Sequence, residues 1–156
     1  MKTKKLQSIW WEYLNTADKL LRVLHEQTAA VMLRDLERLE RIQPNLEKLL
    51  DELVNIDETA VDCAREITDS IGVERSFKAL IKALDETEAQ ELQALANNVK
   101  AKAHTVQSVI QKNQELIMNE LAFVAGSLHL IAKTAEQQEG QFGIKSHAAV
   151  LIDQRA

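Results

Sequence analysis

The chain of 156 residues has one cysteine, one proline and four glycines, and only 4% of it is aromatic. Each scarcity excludes something. A single cysteine, Cys63, rules out an internal disulfide and any zinc site built from several thiolates. So few turn-forming residues, beside abundant Leu, Ala, Glu, Gln and Lys, exclude a sheet-rich fold and point to an all-α domain. Basic excess is missing too: the net charge is −5, with acidic and basic residues interspersed, which argues against a duplex-binding protein. No uninterrupted apolar run approaches the roughly 18 residues of a membrane span, and Glu12 and Lys19 interrupt any signal-like core behind the basic N-terminus. A soluble, cytoplasmic protein without membrane insertion is expected.

Catalytic signatures are also missing. None of His25, His104, His129 and His147 has a Glu three residues before it, so the Glu-x-x-His pairs of di-iron bundles are absent. There is no Gly-rich phosphate loop and no His-Glu-x-x-His zinc helix. His129 with Lys133 is the one arrangement suggestive of a phosphotransfer module, but the spacing is wrong and no Gly follows. The reading is therefore no enzyme, no catalytic residue, no cofactor and no metal.

What is present is helical periodicity. Leu6, Trp10, Tyr13, Ala17, Leu20, Leu24, Thr28 and Val31 recur at three- and four-residue steps, predicting a helix that starts between Thr3 and Leu6. Adjacent Trp10 and Trp11 diverge by about 100°, so one anchors the core and the other faces solvent. Asp35 is placed to cap a second helix whose seam runs Leu39, Ile42, Leu46, Leu49, Leu53, Ile56, Ala60, Cys63 and Ile67. Pro44 interrupts that seam without changing its phase, which favours a kink over a break. The second helix ends near Ser70, before Gly72, and a short amphipathic piece spans Val73 to Leu84. Asp85 with Glu88 then resembles a capping box.

That box opens the segment on which the chain is organised, roughly Glu86 to Gln138. Leu92, Val99, Val106 and Asn113 lie on one row, and Ala96, Ala103, Ile110, Ile117, Val124 and Ile131 on its neighbour. A rod of about fifty residues, roughly 75 Å long, needs partner helices of similar length. Asn113 interrupts the seam as a register-fixing polar residue. Further on, Leu116, Ile117, Leu121, Phe123, Val124, Leu128, Leu130 and Ile131 cover more than one face. Either they plug the end of the core or they await another helix; Phe123 and Leu130, off the main seam, discriminate best. The expected architecture is an elongated antiparallel bundle of three long helices plus a short one over residues 1–138. Residues 139–156 form a flexible tail carrying Phe142 and the cluster Val150, Leu151 and Ile152.

The stretch QKNQELIMNELAFVAGSLHLI, then Gln-Phe-Gly, then the closing LIDQRA, resembles the FlgN family of flagellar type III export chaperones. Asn113, Leu116, Ile117, Leu121, Phe123 and Leu128 stand at positions of that family's long C-terminal helix. Phe142 and Gly143 match its aromatic-Gly step, with Phe where the family often has Tyr, and Asp153 and Ala156 match its terminal motif. The resemblance implies a cytosolic chaperone that covers the C-terminal amphipathic helices of hook-associated proteins and delivers them to the export gate. The partner-binding surface expected on that reading is Leu116 to Ile131 with Phe142 and Val150 to Ile152. A self-associating, tethering coiled coil is the alternative from another class.

Overall fold

The computed structural model describes residues 2–142, with side chains through residue 137. Among the described residues all regular structure is helical: α1 (Lys4–Met32), α2 (Leu36–Ile71), α3 (Phe77–Ala83) and α4 (Glu86–Phe142). Contacts divide the chain into two compact units, Met1–Asn113 and Gln114–Ala156.

Local chemistry sets the helix ends. The Asp35 carboxylate accepts the Arg38 amide (3.1 Å) and so satisfies one of the orphan donors opening α2. Gly72, with φ of 80°, closes α2 in the left-handed conformation that a Cβ disfavours. Pro44 lies inside α2, which continues from Leu36 to Ile71. Its missing N–H forfeits one backbone bond, and Pro44 itself is exposed. α3 begins later than the periodicity predicts, because the Ser76 hydroxyl accepts the Ala79 amide and fixes the start at Phe77. α4 also outlasts its expected end: Gly140 does not stop it and it runs to Phe142.

The core of the first unit has two parts. Near the start of α1, Leu6 and Ile9 pack with Ala60, Cys63, Leu80 and Leu92. Further along, Tyr13, Ala17, Leu20 and Leu24 meet Leu46, Leu49, Leu53 and Val106. As the α1 numbers rise, those of α2 fall and those of α4 rise. Trp10 is half-buried and Trp11 is 57% exposed, so the two part as their spacing requires.

Polar bonds pin α4 to α1 at both ends of this unit and at a point between. The Thr3 amide and hydroxyl both donate to Glu88 Oε1 (2.8 and 2.7 Å). Lys102 pairs with Asp18 (2.8 Å). The Thr28 hydroxyl donates to Asn113 Oδ1 (2.6 Å). Asp85 does cap α4 through the Glu88 amide (2.8 Å). The capping box is nevertheless half-formed, since the buried Glu88 carboxylate serves the start of α1.

Candidate functional site

The expected partner surface falls on the second unit, where the described side chains are those of α4 from Gln114 to Gln137. The seam residues at helical spacing, Ile117, Leu121, Val124, Leu128 and Ile131, share one face. Leu116, Phe123 and Leu130 form a second row, turned by roughly 100° from the first. Leu121 (64%), Phe123 (55%), Leu130 (64%) and Ile131 (61%) are strongly exposed, and Val124 and Leu128 nearly half so. Leu116 and Ile117 are half-buried. Among the described side chains these residues are thus mostly exposed rather than enclosed. Phe142 ends the helix, its side chain outside the described set, and Val150, Leu151 and Ile152 lie outside the described residues.

One apolar residue of this segment escaped the periodicity argument. Met118 is 68% exposed on the side away from Leu130. Its neighbours in sequence drew attention to themselves by sharing a seam; Met118 shares none. The breadth of the apolar surface has another consequence. α4 contains an 18-residue window long and apolar enough, by length and composition alone, to cross a membrane, and 6% of that window is buried. No uninterrupted apolar run of that length occurs, as expected; the window passes on its average composition. Asn119, Glu120 and His129 break the run of apolar residues without lowering its average below that of a span.

Asn113 stands where the first unit ends. Its amide nitrogen donates to the Leu24 carbonyl (2.9 Å) and to Gln27 Oε1 (3.0 Å), while its oxygen accepts from Thr28. Side-chain donors and acceptors therefore interlock α1 and α4 at one register only. A seam otherwise built of Leu, Val, Ile and Ala tolerates a seven-residue slip; a buried amide matched to Gln27 and Thr28 does not.

A concavity of about 570 Å³ opens in the first unit beside Trp10, Tyr13, Val61, Phe77, Val99 and Lys100. Trp10 and Phe77 face each other across 6.1 Å at its edge. Its rim arginines are engaged: Arg75 by Asp69 and Arg65 by Asp62. Cys63 is buried, and burial pushes its thiol above the usual range, with Lys5 opposing and Glu66 reinforcing. A thiol held neutral this way is core material and a poor nucleophile. Among the described residues no cluster of three His, Cys, Asp or Glu could hold a metal ion.

A helical unit interlocked by buried polar groups is followed by a helix segment whose apolar side chains are exposed on several faces. The comparison with known families gives this architecture its name: the FlgN protein family model matches residues 1–141, and the chain belongs to this family of chaperones of flagellar biogenesis and export. No curated protein matches the chain. No solved structure matches it either.

Proposed function

We propose that this protein is a cytoplasmic export chaperone for flagellar hook-associated proteins. It holds their C-terminal amphipathic helices, prevents premature oligomerisation and delivers them to the type III export gate. The observation that carries this is the exposure of Leu121, Phe123, Leu130 and Ile131 on two adjoining rows of one helix. An amphipathic client helix supplies the complementary stripe, in the mode by which helices lie on apolar grooves. Contiguous exposed apolar surface of this breadth is uncommon on proteins that have no partner. The binding surface comprises Leu116, Ile117, Leu121, Phe123, Val124, Leu128, Leu130 and Ile131, with Phe142 and the Val150, Leu151 and Ile152 cluster as a further grip.

In this reading the three long helices form an antiparallel bundle in which α4 shares the direction of α1. The helical domain takes in residues 1–138, and α4 itself continues to Phe142. The protein is a binding module without catalytic residues, and it does not insert in the membrane, because Asn119, Glu120 and His129 would have to be desolvated to do so. The test is calorimetric titration with a peptide of a hook-associated protein's C-terminal helix. Saturable one-to-one binding, lost in Leu130→Asp, is expected. Absence of binding at several hundred micromolar peptide, with the substituted and unsubstituted proteins equally inert, refutes the proposal.

A further inference from the structure

The concavity of the first unit is a gap that the sequence itself builds. α2 and α4 both line it with small residues, Ala60 and Ala64 from one, Ala96 and Ala103 from the other. They stand at helical steps where the same two helices elsewhere carry Leu or Ile, as at Leu53 and Ile110. Side chains that stop at Cβ leave about 570 Å³ open between the helices. The walls are aromatic and aliphatic. Trp10 and Phe77 tilt at 55° to each other, and Val61 and Phe77 remain 43% and 36% exposed. A hollow of this size, mostly apolar with a few polar groups, has the ordinary form of a ligand pocket.

Those polar groups indicate what the ligand carries. Tyr13 lines the concavity and is 7% exposed, yet its hydroxyl has no hydrogen-bond partner among the described residues. A buried hydroxyl without a partner is uncommon, and an acceptor is what it lacks. Burial, reinforced by the Asp57 charge, pushes the phenol above its usual range, so it keeps its proton and donates. Three cations and one acid line the space, in a chain of net charge −5. Arg65 and Arg75 are engaged by Asp62 and Asp69, which lie outside the lining. Lys100 has no acidic partner among the described residues, which leaves it to meet a carboxylate. Asp57, the one acid, is left to accept an N–H. An apolar group, a carboxylate and an N–H occur together in a peptide wherever a large apolar residue adjoins Asp or Glu.

We propose that this concavity is a peptide site. It takes a segment in which a large apolar residue adjoins an acidic one. The apolar side chain lies against Trp10, Phe77 and Val99, and the carboxylate meets the Lys100 ammonium and the Tyr13 hydroxyl. The site shares no residue with the client surface on α4 and does not rest on that reading.

The test follows Trp10 emission in the full chain carrying Trp11→Phe, which leaves Trp10 as the one tryptophan. The probe is acetyl-Gly-Phe-Glu-Gly-amide, beside the same peptide with Ala in place of Phe or Gln in place of Glu. Expected is saturation by the Phe-Glu peptide with a Kd of about 0.1–1 mM. The Ala form binds at least about tenfold more weakly, and the Gln form about threefold. Lys100→Gln abolishes the preference for Glu over Gln. Tyr13→Phe weakens binding about three- to tenfold without lowering Tm, because the hydroxyl it removes bonds to nothing in the free protein. Ala64→Leu and, separately, Ala96→Leu fill the space and abolish binding while circular dichroism reports a folded chain. An emission unchanged up to about 10 mM peptide overturns the proposal. So does equal binding of the Ala form, or normal binding by both filled variants. Phenylacetate bound as tightly as the peptide overturns it too, and reassigns the pocket to a small acid. A fall in Tm for Tyr13→Phe with binding intact gives the hydroxyl to the fold and removes it from the site.

Discussion

Replacing Asn113 by Ala tests how the first unit is held in register. The side chain is 1% exposed and makes three hydrogen bonds, to Leu24, Gln27 and Thr28. The losses are unequal. The Thr28 hydroxyl keeps its alternative acceptor, the Leu24 carbonyl at 3.0 Å, and that carbonyl keeps Thr28 as a donor. Gln27 is 8% exposed and loses its amide donor, which leaves a buried acceptor unpaired. An orphaned polar group of this kind costs about 1–3 kcal/mol, and the truncated side chain adds a small cavity. The sum is about 2–4 kcal/mol, or a fall in Tm of roughly 5–10 °C for a chain of this size. Urea titration followed by circular dichroism measures it. The companion variant is Asn113→Leu with Gln27→Leu, which removes both partners together. It should recover most of the loss, because an apolar pair of similar shape leaves nothing unsatisfied. A loss below about 0.5 kcal/mol for Asn113→Ala, with additive behaviour in the double variant, would refute the interlock.

Three further outcomes follow from the same structure. Glu88→Ala removes the acceptor for both Thr3 donors and should cost about 2–3 kcal/mol, with Glu88→Gln losing less, in thermal melts. The Asp69 carboxyl is held below its usual range by the hydrogen bond from Arg75 and the Arg75 charge. A depressed folded-state pKa means stability gained above the unfolded value, near 3.9, and lost as pH falls through the folded one. The difference between the protein and Arg75→Ala should therefore be steady near neutrality and decline progressively once the pH falls below about 4. Cys63, 4% exposed, should resist a thiol reagent in buffer and react fully in denaturant; equal rates would contradict its place in the core.

Much of the fold was legible because its signals are local. Asp35, Gly72 and Asp85 mark helix ends through bonds that span three or four residues, and the heptad rows of α1, α2 and α4 name their own buried faces. The readings that failed depended on distant partners or on one local competitor. Glu88 looks like half of a capping box, yet its carboxylate answers Thr3, 85 residues away. Ser76 starts α3 at Phe77, four residues beyond Val73, because a hydroxyl in the right place outweighs apolar phase. The candidate site was visible as a list of residues but not as a surface. Leu121 and Val124 carry the same seam pattern as Leu92 and Val106, and nothing in that pattern says which of them another helix covers. Only the observed exposure separates 64% for Leu121 from 0% for Leu92.

The central claim is that clients bind the segment of α4 beyond Asn113. Hydrogen exchange by mass spectrometry, on the free protein and on the protein saturated with a client helix peptide, tests it most directly. Protection gained across residues 114–137, with α1 and α2 unchanged, is the predicted result. Protection gained instead around Trp10, Phe77 and Val99, with 114–137 unaltered, would contradict the account and move the site to the concavity of the first unit.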